Sequence, residues 1–293
     1  LSPIPVKPLD LSAFGFSKDA LQKILLQALE EDGAQNDRTS RATVPRALRA
    51  QGEIRAKQPG VLAGLPLVAS IYRLLDSRCR VLALRQEGRE IRPETKVAQL
   101  LGPAQALLSG ERLSLNFLSR LSGIATLTRR FRDKLGSPRI YDTRKTTPLL
   151  RPLERYAVRV GGGQNHRFNL SGHVLIKDNH LALGGGVTKT VTAARRRYGR
   201  REFIEVEVES LKDALAAVEA GADLILVDNA SPKLFQEIIR KTRGRVQIET
   251  SGGLTLSNIG RYAHLPVDRF SSGALTHSAP SIDFSMALFP AQK

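Results

Sequence analysis

Short polar runs, each closing a β-like segment, hold most of the residues in this chain that are able to do chemistry. They are Asp142-Thr143-Arg144-Lys145, Gln164-Asn165-His166-Arg167, Lys177-Asp178-Asn179-His180, Glu205-Val206-Glu207-Val208-Glu209, Val227-Asp228-Asn229, Glu249-Thr250-Ser251-Gly252-Gly253 and Ser272-Gly273-Ala274. Arg144, Lys145, Arg167 and Lys177, with His166 able to join them, would repel one another unless an anion sat among them. Arginine pairs bidentately with carboxylates and phosphates, so a carboxylate-bearing, phosphorylated substrate fits that set. Glu205, Glu207 and Glu209 fall on one face of a strand, and Asp228 ends the next, which predicts paired carboxylates at a shared mouth. The competing reading of the acidic strand is a solvated edge. Ser251-Gly252-Gly253 and Ser272-Gly273 can bring bare backbone N–H groups close to a phosphate. Both precede expected helices, whose N-termini would help.

The elements that must position these runs come in two styles. Over roughly the first third, helix-like stretches at 21–29 and 65–75 alternate with strand-like ones at 52–58, 80–86 and 96–101, with a further expected strand at 106–108. That is an α+β pattern, most simply a small sheet with helices packed on it. From residue 111 a long helical run extends to 135. Short apolar strands at 139–143, 174–177, 203–208, 224–228, 246–250 and 267–271 then alternate with helical stretches such as 211–220. Such β-then-α order implies parallel strands with helices outside, in a barrel or an open sheet, and catalytic groups at the C-terminal strand ends. With about six strands visible, a strict eight-stranded barrel lacks two. Gly161-Gly162-Gly163 reads equally as a phosphate loop or as the terminator of a helix over 151–160.

Bulk composition narrows the class further. The chain has 293 residues, 41% hydrophobic and 25% charged, within the range of globular proteins. No run reaches the roughly 20 apolar residues of a membrane helix, and residues 1–10 lack an export pattern. A lone Cys79 and no Cys/His cluster argue against a disulfide or zinc, and a reducing cytoplasm is the expected compartment. A formal charge of +17 favours anionic partners, but aromatics are 5% and Trp is absent. The basic residues are scattered, so a nucleic-acid surface is disfavoured and small polyanions are preferred.

Read in order, the segments resemble the quinolinate phosphoribosyltransferase family. The likeness is carried by GVLAGLP (60–66), ERLSLNFLSRLSGIAT (111–126), DTRKTTP (142–148), LERYAVRVGGGQNHR (153–167), LIKDNH (175–180), IEVEVESL (204–211), ADLILVDN (222–229), ETSGG (249–253) and SSGALTHS (271–278). It implies α/β plus α+β architecture of the type II phosphoribosyltransferase kind. Residues 1–110 would form an N-terminal α/β sandwich on which 279–293 pack back, and 111–278 an open parallel α/β barrel. The implied reaction transfers phosphoribosyl from phosphoribosyl pyrophosphate (PRPP) to quinolinate with loss of CO2, using Mg2+.

By the same resemblance, quinolinate is bound by Arg112, Thr143, Arg144, His166, Arg167 and Lys177. PRPP and catalysis fall to Lys145, Glu207 and Asp228, with Ser251, Gly252, Gly253, Ser272, Gly273 and Ala274 as phosphate loops. Glu207 and Asp228 are also the candidate metal ligands, although substrate would supply most of the coordination. A homodimer or assembly of dimers is implied, Arg112 coming from the neighbouring subunit, with no nucleic acid and no membrane involved. The chain departs from the family at Leu149, where Gly is common, and over Phe168-Asn169-Leu170-Ser171-Gly172. Three alternatives stay open: a transferase acting on nicotinate, a Schiff-base aldolase using Lys177, and a basic nucleic-acid-binding protein.

Overall fold

The structure, a computed structural model, describes residues 3–12, 16–137, 139–228 and 230–291. Asn229, the last residue of the ADLILVDN segment, lies outside them. The chain forms two compact units, one of Leu1–Arg129, Thr146–Gly162 and Leu275–Lys293, the other of Arg130–Lys145 and Gly163–Ala274.

The first unit is built on a five-stranded antiparallel sheet in the order Ile4–Pro5, Arg80–Ala83, Lys96–Pro103, Arg49–Ala56 and Phe284–Pro290. Strand Arg49–Ala56 alternates exposed and buried positions, so Ala50, Ile54 and Ala56 enter the core while Arg49 and Arg55 do not. The helix Leu65–Leu75 lays Leu65, Val68 and Tyr72 on that core, and the Tyr72 hydroxyl donates to the Leu107 carbonyl at 3.1 Å. Its N-terminus has no capping side chain of its own. Instead Glu87 reaches back to accept from the N–H groups of Gly64 and Leu65, while the Tyr156 hydroxyl donates to it. Burial nevertheless raises the pKa of this carboxyl. Gly123 marks a close approach: a Cβ there would lie 2.1 Å from the Pro280 carbonyl oxygen.

Residues 106–108, expected as a strand, lie in the helix Ala104–Ser109. Pro103 ends the preceding strand and serves as the helix N-cap, and a three-residue apolar run carries no periodicity that distinguishes strand from helix.

The second unit holds an all-parallel six-stranded sheet in the order Ile140–Tyr141, Arg269–Ser271, Gln247–Ser251, Leu224–Asp228, Ile204–Val208 and Val174–Ile176. Helices Val187–Tyr198, Leu211–Glu219 and Pro232–Thr242 connect successive strands. The central strand Leu224–Asp228 is buried over its first four residues, as expected of a strand covered on both faces. The terminal strands do not pair with each other among the described residues, and Gln164 instead makes a parallel bridge to Tyr141. This is the open α/β arrangement. No helix among the described residues is long and apolar enough to cross a membrane.

Candidate active site

Of the expected site residues outside the phosphate loops, Thr143, Arg144, Lys145, Lys177, Glu207 and Asp228 stand at or just past the C-terminal ends of the parallel strands, His166 and Arg167 follow the isolated bridge residue Gln164, and Arg112 lies in the other unit. Asp142, fully buried after strand Ile140–Tyr141, organises the first two polar runs. Its carboxylate accepts from the His166 N–H at 2.7 Å and from the Asn165 side chain at 2.6 Å, which pins the Asn165-His166-Arg167 run beside Thr143-Arg144-Lys145. The Thr143 hydroxyl accepts from the Lys145 N–H at 3.1 Å, shaping that turn.

Arg167 donates to the His173 carbonyl at 3.0 Å, while its buried Nε makes no hydrogen bond among the described residues. Burial, and then the charge of nearby Arg144, lower the Arg167 pKa. Two guanidinium groups close enough to feel each other gain from an anion between them. Lys177, at the end of strand Val174–Ile176, is ion-paired with Glu207 on the adjacent strand, and its N–H donates to His180 Nδ1 at 3.0 Å. An ammonium held by a carboxylate suits charge binding, whereas an aldolase lysine needs a free amine.

The acidic strand is no solvated edge. Ile204–Val208 lies between Val174–Ile176 and Leu224–Asp228, with Leu226 opposite Glu207. Glu205 is 0% exposed, Glu207 is half-buried, and Glu209 lies beyond the strand in solvent. Asp228 ends the neighbouring strand, opposite Ser251, so Glu207 and Asp228 sit on adjacent strands at the same end of the sheet.

Beneath them lies a cluster in which only His166 was an expected site residue. Glu205 accepts from His173 Nε2 at 2.9 Å and lies 3.2 Å from His166 Nε2, whose other acidic neighbour, Glu249 Oε1, is at 3.7 Å. Burial opposes ionisation of Glu205, but the two histidines outweigh it and hold its pKa well below the carboxylate range. Burial, reinforced by the Glu205 charge, pushes Glu249 the other way. Burial also disfavours the His166 cation, yet the Glu205 hydrogen bond and the charges of Glu205, Glu249 and Asp142 raise its pKa overall. Strand alternation places Glu205 on the face of Glu207; depth within the barrel is visible only once the neighbouring strands are in place. His173 carries no spacing signal at all.

The two glycine loops follow adjacent parallel strands. Gly252 and Gly253 have φ of 85° and 59°, the left-handed region that glycine enters without steric penalty. Asn258 ties this loop by accepting from the Thr255 N–H and donating to the Gly253 carbonyl, both at 2.8 Å. The Ser272 hydroxyl donates to the Leu254 carbonyl at 2.9 Å and so links the loops. The expected helices behind them are only a 3₁₀ turn, Ile259–Tyr262, and the four-residue Ala274–His277. Backbone N–H groups rather than long helix dipoles are therefore what the loops offer an anion. Gly161 caps the helix Arg151–Val160, and a Cβ there would meet the Ala125 carbonyl at 2.5 Å, so it terminates a helix. Arg112 is an exposed second residue of the helix Glu111–Leu135 in the other unit.

Known proteins resemble this chain over most of its length. The family model for the quinolinate phosphoribosyl transferase N-terminal domain matches residues 37–122, and that for the C-terminal domain matches 124–287. A probable nicotinate-nucleotide pyrophosphorylase (carboxylating) of Bacillus subtilis is 41% identical over 91% of this chain and 92% of its own length. The human nicotinate-nucleotide pyrophosphorylase (carboxylating) is 41% identical over 85% of each chain. The crystal structure of NadC from Streptococcus pyogenes superposes with a TM-score of 0.90 at 40% identity, covering 94% of this chain and 99% of that one. The chain belongs to the quinolinate phosphoribosyltransferase family.

Proposed function

We propose that this enzyme transfers the phosphoribosyl group of PRPP to quinolinate with loss of CO2, giving nicotinate mononucleotide and pyrophosphate for NAD biosynthesis. The name of these relatives describes the same equilibrium from its other side, a nicotinate nucleotide meeting pyrophosphate with carboxylation. The observation that carries the reading is the convergence of Arg144, Arg167, Lys177 and His166 at one end of a parallel sheet, facing Glu207, Asp228 and two glycine loops. In this reading the cations, with Thr143 and Arg112, hold both quinolinate carboxylates and aim the ring nitrogen at the anomeric carbon. The N–C bond forms as the C–O bond to pyrophosphate breaks, and Lys145 neutralises the charge developing on the leaving group. Glu207 and Asp228 meet the ribose and its oxocarbenium-like charge, and Ser251, Gly252, Gly253, Ser272, Gly273 and Ala274 cradle phosphate. The alkylated ring nitrogen then draws in the electron pair of the breaking C–C bond, and a proton replaces CO2.

Mg2+ is the expected cofactor, bound mostly through substrate oxygens, and it supplies charge neutralisation on the pyrophosphate. Glu207 and Asp228 would hold it. Their fit rests on hard oxygen donors at adjacent strand ends and on the Lys177 ammonium, which already places one positive charge against Glu207. We further infer a homodimer, or an assembly of dimers, with Arg112 lent across the interface; its exposure leaves it available. Residues 1–110 with 279–293, and 111–278, would be the two modules. A cytoplasmic location suits the free Cys79 thiol. Substituting Lys145→Ala should lower kcat about 10²–10³-fold with little change in thermal stability, as for other charge-stabilising donors. Near-normal turnover would contradict its role.

A further inference from the structure

We propose that His166, His173 and Glu205, with the Glu249 carboxylate beside them, form a binding site for one divalent transition metal of the zinc type, distinct from the Mg2+-dependent chemistry at the strand ends. The inference stands on geometry within the second unit alone and is independent of the proposed substrate. One ligand atom each from His166, His173 and Glu205 can be chosen so that all lie within 4.8 Å of one another. Zinc binds imidazole nitrogen and carboxylate oxygen at about 2.0–2.1 Å, so the edges of a tetrahedral set are about 3.3–3.4 Å. The spacings here are 3.2 Å from His166 Nε2 to Glu205 Oε2, 2.9 Å from His173 Nε2 to the same oxygen and 3.7 Å from His166 Nε2 to Glu249 Oε1. The two spacings to Glu205 lie close to that edge, whereas Glu249 meets only His166 and stands outside the group of mutually close ligand atoms, as a neighbour of the site rather than a ligand.

Glu249 supplies the second, independent observation. It is 0% exposed, and its polar neighbours include the Ser271 side chain and His166 Nε2 at 3.7 Å. A buried carboxylate with so little hydrogen bonding is costly. A dication held by two neutral imidazoles and Glu205 carries one net positive charge, and the buried Glu249 carboxylate beside it offsets that charge. The donor set is mixed nitrogen and oxygen, which suits zinc, cobalt or nickel better than magnesium. Access runs past His173, whose side chain is 20% exposed while the other three are more deeply buried. Phe203 packs edge-on against the His173 ring, with centroids 5.3 Å apart, and restricts its orientation. Since His166 belongs to both sets, a bound metal would take the imidazole that the substrate reading assigns to quinolinate, making the metal an inhibitor in that case.

The test titrates the purified, metal-stripped full-length protein with Co2+ and follows its visible spectrum. We expect one Co2+ per chain with the intense bands of four-coordinate cobalt, displaced by Zn2+ and indifferent to excess Mg2+. His173→Ala should weaken binding by at least about 10–100-fold, the effect of removing even a group that merely supports a ligand. His173→Cys should restore binding and add a near-ultraviolet thiolate-to-cobalt band. Only pale six-coordinate spectra in the unaltered protein, or tight four-coordinate binding undiminished in a folded His173→Ala protein, would overturn the site. Both outcomes are read without any enzymatic assay, so they are separate from failure of the transferase reading.

Discussion

Replacing Leu149 by glycine should stabilise the protein. The Leu150 N–H donates to the Thr147 carbonyl at 3.1 Å, closing a turn whose two central residues are Pro148 and Leu149. Leu149 has φ of 65°, the third-position geometry of a type II turn, for which proline before and glycine at this place are the preferred pair. Holding a Cβ residue in the left-handed region costs about 1–2 kcal/mol. Glycine returns part of that gain, about 0.5–1 kcal/mol, through the greater freedom of its unfolded chain. Leu149 is 74% exposed, so little packing is lost with its side chain. The balance is a net stabilisation of about 0.5–1 kcal/mol, or roughly 1–3 °C in Tm for a chain of this size. Differential scanning calorimetry of the unaltered and Leu149→Gly proteins measures it directly. An unchanged or lowered Tm would refute the strain argument, and with it the explanation of why this chain's departure from the family's glycine is tolerated but not free.

Two more expectations concern the buried cluster and the assembly. Folded-state pKa values raised above the ordinary 4.5 for Glu249 and 6.5 for His166 mean that the folded protein binds more protons above those values. Stability should therefore fall as pH rises from about 5 towards 8, with Glu249→Gln flattening the slope; a steady increase over that window in thermal scans would contradict the cluster's electrostatics. The depressed Glu205 acts in the opposite sense and adds stability that is lost only below about pH 4.5. If Arg112 serves a neighbouring subunit, inactive Arg112→Ala and Lys145→Ala proteins should regain activity when unfolded together and refolded as a mixture. No recovery despite mixed dimers would place Arg112 outside the shared site.

Much of the positioning framework was legible because it obeys local rules. Helices Leu65–Leu75 and Glu111–Leu135 match the expected spans, the first bounded by Gly64 and Asp76, the second by its long apolar stripe. The parallel strands could be found because each apolar run stops at a polar cluster, which is also why most candidate site residues fall at the same end of the sheet. What escaped was set by tertiary neighbours. The run 106–108 became helix because Pro103 starts one. Glu205 and Glu207 share a strand face, but their different depths send one to the histidines and the other to Lys177. Glu249 and Asp142 matter through what surrounds them: Asp142 is satisfied by the run it orders, while Glu249 has the Ser271 side chain and a histidine nitrogen at 3.7 Å.

The central claim is that one cationic pocket takes a pyridine diacid while the adjacent loops take a sugar phosphate. It is tested most directly by incubating the protein with quinolinate labelled in the 2-carboxyl group, Mg2+ and PRPP, and counting released CO2 against mononucleotide formed. We expect equimolar release that depends strictly on PRPP, and no comparable turnover when nicotinate replaces quinolinate. Mononucleotide formed from nicotinate at an equal rate, or quinolinate left intact in the complete mixture, would contradict the account.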